Sequence, residues 1–190
     1  MHWKAKSGMR TVALKILVVS VLAGSAALAQ NSDFGVLYGV EVLYGKQVLP
    51  SGIVDSAISI SSNTQINYAR QVLDSRTGGL YVEFPIVYGG TNSAGNVAIT
   101  FTPGVRFKFA TQSRLSPYVA AGVGVTSAGG TAFLPRTVSP AVDFGAGLDI
   151  RFTRLLSLRT ELRDFVARRG LGGYEGRNHP IFSVGIAFHF

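Results

Sequence analysis

The 190-residue chain carries 18 Lys and Arg against 10 Asp and Glu, a formal net charge of +8, and contains no cysteine. The missing cysteines exclude a disulfide scaffold and thiolate metal sites, and the length favours a single domain. Such a basic balance would suggest nucleic acid, but four of the bases and none of the acids precede residue 30, leaving 14 bases against 10 acids and no recognition motif.

The N-terminal region reads as a targeting segment. Lys4, Lys6, Arg10 and Lys15 form a basic start, an apolar stretch follows over 16–27, and Ala27-Leu28-Ala29 supplies a small-x-small cleavage site. The apolar stretch is short for a membrane span, which needs roughly 20 residues. The pattern predicts a cleaved signal over 1–29 and a mature domain over 30–190. No cysteine follows the cleavage site, so lipid attachment there is excluded.

From Asp33 the hydrophobic period is two. The first run sets Phe34, Val36, Tyr38, Val40, Val42 and Tyr44 against Gly35, Leu37, Gly39, Glu41 and Leu43. The second alternates from Ile58 to Tyr68, the third from Leu80 to Tyr88, and the fourth from Val97 to Phe109 with Arg106 and Lys108 on its polar face. The fifth places Val119, Ala121, Val123 and Val125 opposite Tyr118, Ala120, Gly122 and Gly124. In the sixth, Val142 to Phe152 turn away from Asp143, Gly145, Gly147, Asp149 and Arg151. The seventh sets Leu156, Leu158, Thr160 and Leu162 against Ser157, Arg159, Glu161 and Arg163, and the eighth is 182–190.

Eight alternating runs of about ten residues predict an all-β fold, an eight-stranded antiparallel up-and-down transmembrane β-barrel with a filled interior. A soluble sandwich also alternates, but its second face is broadly charged. Here that face is mostly Gly, Ala, Ser and Thr, and aromatic residues such as Phe34, Tyr68, Tyr88, Phe109, Phe152 and Phe190 mark the strand ends as membrane girdles do. Outer loops are expected near 46–57, 89–96, 128–138 and 167–180, with a tight inner turn at Thr153-Arg154. The stretch from Arg70 to Gly78 reads as an unusually long inner connection. Pro85 and Pro103 fall inside strands and predict a bulge or pairing gap at each.

Tyr81-Val-Glu-Phe-Pro-Ile86, Ser116-Pro-Tyr-Val-Ala-Ala-Gly-Val-Gly124, Gly145-Ala-Gly-Leu-Asp149, Leu158-Arg-Thr-Glu-Leu-Arg-Asp-Phe165 and Ser183-Val-Gly-Ile-Ala-Phe-His-Phe190 together give the mature chain a further likeness. It resembles the small outer-membrane β-barrel proteins of Gram-negative bacteria, with OmpA-like or OmpX-like barrels. The chain ends with the last run, without the peptidoglycan-binding domain of OmpA itself. The resemblance implies outer-membrane lipid and lipopolysaccharide as surroundings. It also implies periplasmic chaperones and the barrel-assembly machinery as partners, the machinery reading Phe182, Val184, Ile186, Phe188 and Phe190 as its signal.

Alternation turns Glu41, Glu83, Asp143, Asp149 and Glu161 inward together with Arg106, Lys108, Arg151, Arg159 and Arg163. Five acids against five bases predict a paired, desolvated plug, because eight strands leave room only for side chains. A triad of Ser183, His189 and Glu161 fails, since Ser183 and His189 lie roughly 20 Å apart on one strand. His179 is placed in the last outer loop. No metal site or cofactor is expected. Arg168, Arg169 and Arg177 in that loop are candidate contacts for lipid phosphate. The function expected is structural or surface-interacting, without catalysis. A barrel that binds or transports a small apolar ligand is the alternative, followed by a lipid-modifying enzyme.

Overall fold

The computed structural model describes residues 32–48, 54–89, 97–128, 137–167 and 178–190. They form nine strand segments: β1 (Ser32–Val48), β2 (Val54–Ser75), β3 (Gly78–Gly89), β4 (Ala98–Phe101), β5 (Gly104–Phe109), β6 (Leu115–Ala128), β7 (Thr137–Arg151), β8 (Leu156–Ala167) and β9 (Asn178–His189). Each pairs antiparallel with its chain neighbours, and β4 and β5 are two halves of one stave. β9 pairs back on β1 from Asp33↔His189 to Glu41↔Ile181. The result is a closed eight-stave barrel with no free edge. The lower end is defined by the start of β1 and the finish of β9, where Ser32 and Phe190 exchange backbone hydrogen bonds of 2.7 and 2.9 Å.

Side-chain period fixes the two faces. Odd positions of β1, β2, β3, β7, β8 and β9 and even positions of β4, β5 and β6 point inward, and the apolar set points outward. Phe182, Val184, Ile186, Phe188 and Phe190 all lie on this outer wall. Aromatic pairs reinforce it near the lower end, with Phe107 edge-on to Phe109 at 4.8 Å and Tyr68 stacked on Phe84 at 6.4 Å. One acid, Asp164, faces out. Its Oδ1 accepts the His179 backbone N–H at 2.9 Å, beside the donorless Pro180 opposite it.

One expectation needs correction. The stretch from Arg70 to Gly78 is not a long connection: β2 continues to Ser75, the turn is Arg76–Thr77, and a register shift falls between Gln71 and Leu73. That bulge spoils the period of two, which is why the sequence reads as loop there. Pro85 and Pro103 both fall at a pairing gap, as expected, and they share it. Pro85 stays in register with Asn67 on β2. On its other side, pairing stops at Ile86↔Phe101 and resumes at Glu83↔Gly104, so Phe84–Pro85 face Thr102–Pro103 across one shared gap. The break is tightened by Gly104 and Gly124, where a Cβ would strike the backbone of Ala121 and Phe101 respectively.

The expected signal over 1–29 and the upper connections at 49–53, 90–96, 129–136 and 168–177 lie outside the described residues.

Candidate functional site in the barrel lumen

The lumen is assembled in layers from inward side chains of several staves. In the lower layer β1 supplies Asp33, β5 supplies Arg106 and Lys108, β7 supplies Asp149 and β8 supplies Arg159. Asp33 meets all three bases, at 3.4 Å from Arg106 Nη1, 3.2 Å from Lys108 Nζ and 3.1 Å from Arg159 Nη2. Asp149 takes a two-pronged contact from Arg159, at 2.7 Å to Nε and 2.9 Å to Nη2, and a 2.6 Å contact from Lys108. Tyr118 lies between the guanidinium groups of Arg106 and Arg159, 4.7 and 5.5 Å from its ring centre. Rings below a cation supply attraction that carboxylates alone do not.

The middle layer turns on Arg163. Its three nitrogens reach Glu83 at 2.8 Å, Asp143 at 2.7 Å and Glu161 at 3.0 Å. Glu161 also accepts from Gln65 Nε2 at 2.8 Å and from the Tyr118 hydroxyl at 2.7 Å, and Glu83 accepts from Asn67 Nδ2 at 3.3 Å. Arg106 Nη2, 2.6 Å from Glu83, ties the two layers, as an ionic contact whose N–H is not aimed at the oxygen. Above them Glu41 meets His179 Nδ1 at 2.9 Å. The small apolar cluster of Val87, Phe165 and Ile181 lies beside Glu41. The room left there is about 10 Å³, space for about one water.

Nine of the ten charged residues expected in the lumen are buried there. Arg151 has the right parity but stands at the last position of β7; it is half-buried, joins no ion pair and donates to the Thr111 carbonyl at 2.8 Å. Asp33, with the same parity as Gly35, also belongs to the set. The expected balance of five against five therefore becomes six carboxylates against four cations and the His179 imidazole among the described residues. His179 sits on β9, not in a loop. Buried side-chain atoms without a protein partner include Ser61 Oγ, both amide atoms of Asn63, Gln65 Oε1, Asn67 Oδ1 and Thr102 Oγ1. They line one wall and are suited to ordered water.

The supposed triad does not assemble. His189 Nε2 instead meets Ser157 Oγ at 2.8 Å across the β8–β9 ladder. Ser157 is enclosed, and no carboxylate bonds the imidazole among the described residues, so the pair lacks both access and a third member. No group of acids and histidines among the described residues is arranged to hold a metal. Arg168, Arg169 and Arg177 lie outside the described residues. Below the lower layer the barrel opens into a cup of about 440 Å³, lined by the lower ends of β2 and β3 and by the β5–β6 and β7–β8 turns.

No family model and no curated protein matches the chain. Solved structures do. The attachment invasion locus protein Ail of Yersinia pestis superposes with a TM-score of 0.54 at 12% identity, over 85% of this chain and 99% of that one. The N-terminal β-barrel domain of Pseudomonas aeruginosa OprF gives 0.53 at 14% identity, over 85% and 100%. Neisserial surface protein A gives 0.52 at 16%, over 83% and 97%. The chain thus has the closed eight-stranded barrel fold seen in these bacterial proteins, and identities this low speak to fold alone.

Proposed function

We infer that this chain is a bacterial outer-membrane barrel with a structural or surface-interaction role, its lumen plugged by paired charges. The observation that carries the reading is the inversion of the usual polarity. Arg106, Arg159, Arg163 and Glu83 are wholly enclosed, while Tyr38, Ile60 and Val123 are 63%, 72% and 66% exposed on the outer wall. A closed sheet that puts its charges inside and its aliphatic residues outside suits hydrocarbon surroundings. The partners expected from the resemblance, lipid, lipopolysaccharide and the assembly machinery, follow from that location. Arg168, Arg169 and Arg177 remain candidates for lipid phosphate. Among the described residues, the space between Glu41, Asn63 and the Val87, Phe165 and Ile181 cluster holds about one water, which favours a plug over an apolar-ligand site there.

Cell fractionation with heat-modifiable gel migration tests the location: a heat-shifted band in the outer-membrane fraction is expected, and a soluble product overturns it. In planar bilayers the refolded protein is expected to show no sustained current. Stable, large, ion-selective channels would sink the plug.

A further inference from the structure

The cup at the lower end uses more chain than closing a barrel requires. The β2–β3 hairpin runs beyond the level of the Ser32↔Arg70 pair, and its bulge brings Gln71 and Asp74 to the opening. Gln71 is fixed from two sides: its Nε2 donates to Asp74 Oδ1 at 3.0 Å, and the Tyr81 hydroxyl donates to its Oε1 at 3.3 Å. Asp74 is thus held by a neutral amide and, among the described residues, has no cation within ion-pair distance. The β7–β8 hairpin brings Arg151 and Arg154 to the same cup. One Arg151 nitrogen is anchored on the Thr111 carbonyl at 2.8 Å, and among the described residues neither arginine has a carboxylate partner. The charges of the floor, Asp33 and Lys108, are already engaged with each other and with Arg159 and Asp149.

We propose that the cup binds a small zwitterion, an amino acid or short peptide, with its carboxylate on Arg151 and Arg154 and its ammonium on Asp74. Guanidinium forks match a carboxylate in two-pronged geometry. A purely anionic ligand would leave Asp74 facing like charge, and a neutral sugar would leave both arginines unpaired. One face of the Tyr81 ring is already taken by Lys108 Nζ at 5.2 Å. A volume of about 440 Å³ falls in the range of small-molecule sites. Peptide of this kind arises both from cell wall and from protein turnover. Assigning either source rests on the outer-membrane reading; the binding does not.

The test is titration calorimetry of the refolded barrel in detergent, its folding checked by gel shift. The probes are alanyl-alanine in L,L and D,D forms, the N-acetylated and C-amidated dipeptides, and inorganic phosphate. At least one free dipeptide is expected to saturate below about 10 mM, and acetylation or amidation is expected to weaken it about tenfold. Arg151→Gln with Arg154→Gln should abolish discrimination against the amide, and Asp74→Asn discrimination against the acetylated form. These side chains lie outside the buried network, so the barrel should fold. Preference for the D,D form points to cell-wall peptide, preference for L,L to protein-derived peptide. No saturation by either dipeptide, phosphate binding as tight as dipeptide, or unchanged discrimination in the variants overturns the proposal. Fractionation alone decides the location, so the two can fail separately.

Discussion

Replacing Arg163 with methionine removes the cation shared by Glu83, Asp143 and Glu161. The three acids lose unequal amounts. Glu83 keeps Arg106 at 2.6 Å, and Glu161 keeps donors from Gln65 and Tyr118. Asp143 loses the ion pair at 2.7 Å and has no other cation within reach. The cost is therefore that of one stranded buried charge, about 3–5 kcal/mol. Asp33→Asn should cost less, about 1–3 kcal/mol, because Lys108 and Arg159 keep Asp149 and Arg106 keeps Glu83. The assay is equilibrium urea unfolding in lipid vesicles, followed by circular dichroism and gel shift. Adding Asp143→Leu to Arg163→Met should recover part of the loss, since removing both partners leaves no orphaned charge. A loss below about 1 kcal/mol, or a double variant no better than the single, would show a hydrated lumen and refute the reasoning.

A Cβ at Gly147 would strike the Tyr118 ring, so Gly147→Ala should destabilise by about 1–3 kcal/mol by driving the hydroxyl off Glu161. Tyr118→Leu should relieve the added cost in a double-variant cycle read by the same unfolding assay. Asn63 has neither amide atom bonded to protein and borders Val87, Phe165 and Ile181. Asn63→Leu is accordingly expected to hold or raise stability by up to about 1 kcal/mol, and a clear loss would show that bound water holds that amide. Ala110 adopts φ 48° in the β5–β6 turn, so Ala110→Gly should stabilise by about 1 kcal/mol in urea unfolding.

The barrel was legible because a period of two assigns every residue of a run to one face, and a slip would move all of them together. Composition then decided which face turned outward. What escaped lay where that period ends or where register matters. Asp33 and Arg151 sit at strand limits, one turned into the floor and the other clear of it. His179 was lost because the start of β9 precedes its first apolar residue. Ser157 and His189 are 32 residues apart, and only the β8–β9 register makes them neighbours. The cup was invisible for the same reason: its hairpin is bulged, and its aspartate and arginines lie at the ends of hairpins far apart in the chain.

The shared gap at Pro85 and Pro103 acts as an expansion joint in the wall. Around the rest of the ring each ladder runs without a missing rung except at the Gln71 bulge, so a displacement of one stave is carried by its neighbours. At the joint, a four-residue segment, Ala98–Phe101, hangs between β3 and β6 with its own short ladders. That segment can loosen from above without disturbing Gly104–Phe109, which carries Arg106 and Lys108. The interrupted ladders separate Ala98–Phe101 from the part of the stave that carries the charged floor, so the amides of Ala98–Phe101 are expected to exchange with solvent before those of Gly104–Phe109.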